Sequence, residues 1–448
     1  MSIITYSNTS INYFVYKLNI YRIFLSNLHF ACKKIALVLL YIRLLSKEYE
    51  IMAYKFSDRL ANLEGNAIRE IFKLLGQEGM ISFAGGFPDA SILPYKDIAN
   101  ISSELLASDN AKVFLQYGAS EGYMPFREQC VKHVKRYGIE GITEQNVTIV
   151  SGGQQTIDLT LKAFINKGDY VLVEDPTYLA VLHILKTYEA NVIGVDSEVD
   201  GLVISDLETK IKKYNPKVLY LVPTFSNPTG RVISLEKRKA IIELTAKYGV
   251  ILLEDDPYNE LRYSGECVPS MKSMDTTGNV IYSASFSKTI VPGLRTGFCI
   301  ASPELTRKIV LGKQATDVHT SLLSQAIITE YLKRGLFSDN VDRMIKHYSN
   351  KRDIMIAAID KYMPSSFSYT KAQGGLFIWG KLDFDVDTTQ VFGQVTSLGV
   401  AYVPGAPFYA DGSVKNALRL NFSMPKIEDI DRGIKILGDF LKKVERGE

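Results

Sequence analysis

A lysine at the carboxyl end of a buried strand loses water, its pKa falls, and it becomes a nucleophile able to form a Schiff base with a carbonyl group. Lys288 has that setting in SFSKTIVPGLRTG, directly after the apolar run Val280 to Ser283. Ser285, Ser287 and Arg295 in the same string bring hydroxyls and a guanidinium suited to a phosphate. Asp255 follows a second apolar run, Val250 to Leu253, in EDDPYNEL, flanked by Glu254 and Asp256. A carboxylate at a strand end inside an apolar sheet needs a cationic partner, because burying it unpaired is costly. A protonated pyridine nitrogen is one such partner; capping the next helix, or standing in solvent, is the other reading of paired acids. Tyr258 lies three residues on, and Asn227 in FSNPTG also follows a strand-like run, where Asn-Pro equally marks a turn. Ser151-Gly152-Gly153-Gln154-Gln155 stands between a strand-like run and a helical one, where small residues let backbone N–H groups approach an anion. The string lacks a P-loop lysine and the G-x-G-x-x-G of a dinucleotide site. Arg419 alternates with apolar residues in NALRLNF, and a strand arginine facing a cleft can hold a carboxylate bidentately.

The elements that must position these residues alternate between strand and helix. Strand-like runs fall at Val147 to Val150, Tyr170 to Val173, Val192 to Val195, Val218 to Val222, Val250 to Leu253, Val280 to Ser283 and Gly297 to Ala301. Most are apolar throughout rather than alternating, as in strands buried on both faces of a mainly parallel sheet. Helical stretches such as Thr156 to Ile165, Leu207 to Tyr214 and Leu235 to Tyr248 lie between them, which predicts an open α/β sheet. Ala67 to Leu75, with Ala61 to Arg69 upstream, has helical spacing. A long helical region, roughly Glu304 to Tyr362, leads into shorter strands at Leu376 to Trp379, Val400 to Val403 and Ala417 to Phe422, then an amphipathic helix, Ile427 to Val444. That last part reads as a smaller α+β domain.

With 448 residues, 46% hydrophobic and 23% charged, the chain is globular in composition and long enough for two or three domains. Lys and Arg exceed Asp and Glu by 52 to 49, too small a surplus to point to nucleic acid. Cys32, Cys130, Cys267 and Cys299 are scattered with no C-x-x-C, so neither a disulfide framework nor a metal site is legible, and free thiols in a reducing cytoplasm are expected. Residues 1–51 differ from the rest: they hold no Gly or Pro and carry six basic residues against two acids. The stretch Ile35 to Ile42 is too short to span a bilayer. Met52 before a fresh, well-patterned sequence is consistent with a mis-assigned start; an appended helix and a weak membrane-surface segment are the other readings.

Taken in order, ISFAGGFPD, LQYGASEGYMPFRE, SGGQQ, EDPTY, PTFSNPTG, EDDPYNEL, SFSKTIVPGLRTGF, AQGGLFIW, VPGAPFY and LRLNF resemble the class I/II aminotransferases of pyridoxal-phosphate fold type I. Within them the sequence is similar to the 2-aminoadipate, kynurenine and aromatic aminotransferase branch, from about Tyr54 to the C-terminus. The resemblance implies a large domain with a mostly parallel seven-stranded sheet and a small α+β domain. The organisation it suggests is an extension over 1–51, an N-terminal arm with part of the small domain over 52–108, a cofactor domain over 109–340 and a C-terminal small domain over 341–448. It implies that Lys288 forms the Schiff base with pyridoxal 5'-phosphate and that Asp255 pairs with the pyridine nitrogen. Asn227 and Tyr258 would bond the ring oxygen and Tyr178 would stack on the ring. The phosphate would sit against the backbone of Gly153 and Gln154 with Ser285, Ser287 and Arg295, and Tyr117 would reach it from the neighbouring subunit of a homodimer. Arg419 would grip the substrate carboxylate, with Asn227 nearby and Gly86 where a side chain would obstruct.

The activity so implied is transfer of an amino group from an L-amino acid of 2-aminoadipate, aromatic or branched-chain type to a 2-oxo acid such as 2-oxoglutarate. Arg69 matches a helix position that in some relatives approaches an acidic substrate side chain, and a solvated helix arginine reads equally well. Two other classes compete. A β-lyase or decarboxylase would use the same lysine, and a transcription regulator would carry an aminotransferase-like domain behind a winged helix, for which residues 1–51 are short and show no basic recognition helix. The expected setting is cytoplasmic, away from nucleic acid and membrane.

Overall fold

The computed structural model describes residues 54–61, 63 and 79–448. The chain divides into two compact units, residues 1–61 and 62–448. In the first, the described stretch Tyr54–Ala61 ends in a one-turn helix, Asp58–Ala61. Residues 1–51, the expected helix over 67–75 and Arg69 lie outside the described residues.

The second unit is built on a seven-stranded sheet: β1 (Val147–Val150), β2 (Tyr170–Glu174), β3 (Asn191–Val195), β4 (Val218–Leu221), β5 (Ile251–Asp255), β6 (Val280–Ser285) and β7 (Gly297–Ile300), in the order β1-β7-β6-β5-β4-β2-β3. Every neighbouring pair is parallel except the two that β7 makes. All seven strand runs expected from the sequence are present, with ends shifted by a residue or two. The apolarity of the inner strands follows from burial on both faces: on β2, Val171 and Val173 join one core and Leu172 another. Helices α1 (Tyr95–Ala107), α2 (Met124–Val134), α3 (Gly153–Phe164), α4 (Leu179–Thr187), α5 (Ile204–Tyr214) and α6 (Leu235–Tyr248) precede and link these strands. Leu207 and Ile211 of α5 and Ile241 of α6 cover the Leu172 face, while Ile157, Leu161, Leu182 and Leu185 of α3 and α4 cover the other.

Helical residues 303–362 form three helices rather than a continuous region: α7 (Pro303–Gln314), α8 (Leu322–Lys333) and α9 (Leu336–Tyr362). Val318 at φ 66° and Gly335 at φ 73° turn the chain between them, and a left-handed residue cannot continue a right-handed helix. A second sheet, β8 (Phe367–Tyr369), β9 (Phe377–Leu382), β10 (Val403–Pro404) and β11 (Ala417–Asn421), has the order β8-β9-β11-β10. The closing helix α10 (Ile427–Glu445) lies on α9 through Ile430, Ile434, Leu437 and Leu441. A short parallel pair, Ile81–Ser82 with Val400–Ala401, brings FAGGFPD against this second sheet.

The topology gathers the chemistry at one edge. In a parallel sheet all strands end on the same side, and ligands bind outside those carboxyl ends. Here the strings SGGQQ, EDPTY, FSNPTG, DDPY and SFSK leave β1, β2, β4, β5 and β6 at that edge. Strand β7 runs the other way, with Gly297 opposite both Ser285 and Val150, so its first residues lie beside the ends of β6 and β1. Arg295 therefore joins them. A Cβ on Gly297 would stand 2.6 Å from the Ala284 carbonyl oxygen, which is why glycine occupies this crossing.

Candidate active site

At the end of β6 the Lys288 amine donates a 2.6 Å hydrogen bond to the Gly86 carbonyl. Withdrawal from water, and then repulsion from the Arg419 and Arg295 guanidiniums, lowers its pKa to about 8. An amine so placed is available as a neutral nucleophile near neutral pH far more often than a solvated lysine.

Asp255 closes β5 and is 5% exposed. Burial raises its pKa to about 6, offset in part by the hydroxyl of Tyr220, which donates to it at 2.9 Å. Tyr220 lies on β4, whose alternate residues share a face with Asp255, and sequence reasoning does not single it out. A tyrosine inside the otherwise aliphatic VLYL is the available signal. Tyr258 is nearly buried, and burial pushes its hydroxyl up, with Tyr178 and Asp255 adding to the effect. Tyr178 is the N-cap of α4, placed by EDPTY at the end of β2, and burial raises its pKa as well.

The turn after β1 forms an anion cradle. Gly152, at φ 89°, caps α3 without any side chain, so the first backbone N–H groups of Gly153 and Gln154 stand open at the helix start. Arg295 donates to the Ser151 carbonyl at 3.0 Å and to the Ser287 hydroxyl at 3.4 Å. Ser285 donates to Ser287 at 2.9 Å. A Cβ on Gly152 would stand 2.5 Å from the Arg295 guanidinium, and one on Gly153 would stand 3.3 Å from the Asp255 carboxylate. The cradle therefore opens directly onto the acid. It is braced from behind by residues that the sequence does not reveal: Lys313, fully buried, donates to Gln155 and Asp317 at 2.9 Å and to Thr320 at 3.0 Å. Gln155 in turn accepts the Ser151 N–H at 2.7 Å.

Arg419 lies on β11, a strand buried along its whole length, and is itself 3% exposed. One terminal nitrogen donates to the carbonyls of Ala84 at 2.8 Å and Gly85 at 3.0 Å, and the other donates to the Asn227 side chain at 2.8 Å. Its Nε has no partner. The guanidinium is held over Phe377 at 4.4 Å and near Phe408 at 5.3 Å, contacts that pattern alone could not supply. Desolvation lowers its pKa to about 10, so it remains a cation at any physiological pH.

These elements thus bring Lys288, Asp255, Tyr258, Tyr178, Asn227, Ser285, Ser287, Arg295, the Gly153–Gln154 turn, Gly86 and Arg419 to one region. Tyr117 is 79% exposed, with its ring edge against His319 at 5.8 Å, and among the described residues it makes no hydrogen bond or ring contact with the other site residues. The donor set fits pyridoxal phosphate: an open helix start with two hydroxyls and a guanidinium for a dianion, a buried carboxylate for a protonated ring nitrogen, and a low-pKa amine for an aldehyde. No group of His, Cys, Asp and Glu among the described residues is arranged to hold a metal ion.

Comparison with known proteins agrees with this geometry. The model of the family "Aminotransferase class I and II" matches residues 85–437. Aromatic-amino-acid aminotransferase 1 of Thermococcus litoralis is 38% identical over 394 residues, covering 87% of this chain and 94% of the relative. The crystal structure of Pyrococcus horikoshii kynurenine aminotransferase, in complex with PMP, superposes with a TM-score of 0.84 at 37% identity, over 89% of this chain and 99% of that one. An α-aminoadipate aminotransferase from Thermus thermophilus, complexed with N-(5'-phosphopyridoxyl)-L-leucine, gives a TM-score of 0.81 at 33% identity, over 88% and 98% of the two chains. A low-pKa lysine, a buried acid and an open helix start meet on this sheet, and the family match covers them: the chain is a member of the class I and II aminotransferases, a fold type I enzyme that uses pyridoxal phosphate to transfer amino groups between amino acids and 2-oxo acids.

Proposed function

We propose that the chain takes its amino group from an L-amino acid of 2-aminoadipate, aromatic or branched-chain type and passes it to a 2-oxo acid such as 2-oxoglutarate. The relatives support this breadth, being named for aromatic amino acids, kynurenine and α-aminoadipate. Pyridoxal phosphate supplies an aldehyde for covalent capture of amines and a ring that accepts the electron pair released at the substrate's α-carbon. The residues of this chain supply the rest. Lys288 would hold the cofactor's aldehyde carbon until substrate displaces it, and its freed amine would then take the proton from the substrate α-carbon and return it to the carbon on the far side of the substrate nitrogen. Its pKa of about 8 supports that double use, since general bases work best near the operating pH. Asp255 keeps the ring nitrogen protonated by fixing an opposite charge beside it. Asn227 and Tyr258 bond the ring oxygen, and Tyr178 covers the ring face. Gly153, Gln154, Ser285, Ser287 and Arg295 anchor the phosphate. Arg419 receives the substrate carboxylate at its cationic face, and Gly86 leaves room for the substrate. The observation that carries this reading is the approach of a low-pKa amine, a buried acid and a buried arginine at the same sheet edge.

The same reading makes the enzyme a homodimer, with Tyr117 reaching the phosphate of the partner's site. Supporting it is the exposure of Tyr117 beside an equally bare Leu115, 79% and 69% accessible. A cytoplasmic setting suits the free thiols of Cys130, Cys267 and Cys299. Among the described residues no helix is long and apolar enough to cross a membrane.

Purified protein should show a visible cofactor band that bleaches with glutamate or 2-aminoadipate and returns with 2-oxoglutarate. Lys288→Ala should lose at least about a thousandfold in turnover while still binding cofactor. A band that returns without an oxo acid, or undiminished turnover in the variant, would contradict the assignment. Light scattering should give twice the chain mass, and a monomer of full activity would refute the shared site.

Asp255 also makes a prediction about pH. Its folded pKa of about 6 exceeds the ordinary 3.8, so the cofactor-free folded chain binds more protons than the unfolded one across that window. Stability from this group is therefore full at the acid end, falls as pH rises from about 4 to about 6, and stays low above it. A cationic ring nitrogen removes that cost. The gain in Tm on adding cofactor should be larger at pH 7.5 than at pH 5, and Asp255→Asn should shrink the difference. Equal gains at both pH values in the unaltered protein would count against the pairing.

A further inference from the structure

The loop that presents the Gly86 carbonyl to Lys288 is held by a partly buried charge network outside the site itself. Asp89 ends the string FAGGFPD. One oxygen of its carboxylate accepts from Lys351 Nζ at 2.6 Å and from His347 Nε2 at 2.9 Å, both on α9. The other accepts the Ser91 N–H at 2.9 Å and its hydroxyl at 2.7 Å. The Asp89 N–H donates to the Tyr348 hydroxyl at 2.9 Å. Lys351 is 1% exposed and makes a second bond, 2.7 Å long, to the Ser423 carbonyl. The Ser423 hydroxyl donates to the Phe87 carbonyl at 2.8 Å, and the Asn421 N–H donates to the Phe83 carbonyl at 2.8 Å.

One ammonium thus joins three parts: helix α9, the loop 83–89, and the end of β11, the strand that carries Arg419. Burial pushes the Asp89 carboxyl up, but hydrogen bonds from Lys351, Ser91 and His347 outweigh it and hold the group well below the usual carboxylate range. An ion pair with its lysine buried and its carboxylate partly exposed returns little net stability, because desolvation offsets much of the attraction. Its consequence here is geometric. The loop's Ala84 and Gly85 carbonyls fix one terminal nitrogen of Arg419, and its Gly86 carbonyl fixes the Lys288 amine. Moving the loop would turn the guanidinium plane away from the line of the substrate carboxylate.

We propose that Lys351, acting through Asp89, is a positioning residue that sets the Ala84–Gly86 carbonyls and thereby the orientation in which Arg419 meets the substrate carboxylate. The proposal rests on Arg419 receiving that carboxylate.

The test uses holoenzyme and a 2-methyl amino acid, which binds but has no α-proton to lose; its Kd is read from the cofactor's visible band. Lys351→Met and Asp89→Asn should each raise that Kd, and the KM for the amino donor, by about tenfold, with kcat within about threefold and cofactor content unchanged, since small misplacements of a binding group weaken productive binding steeply. Lys351→Arg, which keeps the charge and can span both bonds, should restore most of the affinity. Asp89→Asn keeps the shape of the side chain and an acceptor, and so stands in if Lys351→Met does not fold. An unchanged Kd in a folded variant, or a lower Tm with unchanged Kd and KM, would overturn the positioning role. Arg419→Lys separates the two claims: if it raises Kd while the Lys351 and Asp89 variants do not, positioning alone is wrong, and if it leaves Kd unchanged, the Arg419 reading falls and takes this proposal with it.

Discussion

An amine that must act as nucleophile and base near neutral pH has to be kept from holding its proton, and burial beside positive charge is the available means. Lys288 meets both conditions, with water largely removed and Arg419 and Arg295 nearby. Neither guanidinium is there for the lysine alone. Arg295 is drawn in by the antiparallel strand β7, which starts where β1 and β6 end, and Arg419 arrives on a strand of the second sheet. The lysine's chemistry therefore depends on contact between two sheets formed by separate stretches of the chain. A positive cluster of this kind, with Arg419 buried and Arg295 at the open side, needs negative charge to complete it, and the open cradle and the Asp255 carboxylate say where that charge belongs.

The second sheet does more than deliver an arginine. Its strand β9 supplies Phe377, and the turn after β10 supplies Phe408; together they hold the Arg419 guanidinium while leaving Nε without a partner. The loop 83–89 completes the enclosure by offering backbone carbonyls rather than side chains. A side chain at Gly85 would displace Met424, since a Cβ there would stand 1.9 Å from its sulfur. Backbone acceptors cannot swing away as side chains do, so their positions are set by whatever ties the loop down, and the Asp89–Lys351 pair is a charged tie at its end.

Much of this is legible in the sequence because parallel sheets leave a plain signature. Mostly apolar runs mark the seven strands, and the polar strings that follow them have to fall at strand ends; Lys288, Asp255, Asn227 and Ser151–Gln155 stand out in that way. Residues whose role comes from a partner distant in sequence are not legible. Tyr220 reads as one more strand aromatic until β4 is placed beside β5. Lys313 and Lys351 read as ordinary helix lysines, although Lys313 is buried against Gln155, 158 residues away, and Lys351 against Asp89, 262 residues away. The alternation in NALRLNF sets Arg419 apart from its apolar neighbours, but β11 is covered on both faces, so the arginine is buried with them. The breaks at Val318 and Gly335 are also hidden, since left-handed turns leave little trace in hydrophobic spacing.

The most direct test of this account is to reduce the holoprotein with borohydride, digest it and find by mass spectrometry which lysine carries the pyridoxyl phosphate. The expected result is a single labelled peptide containing SFSKT, with the added mass on Lys288 and none after prior incubation with an amino acid donor. Label on any other lysine, or label that persists unchanged after the donor, would contradict the central claim.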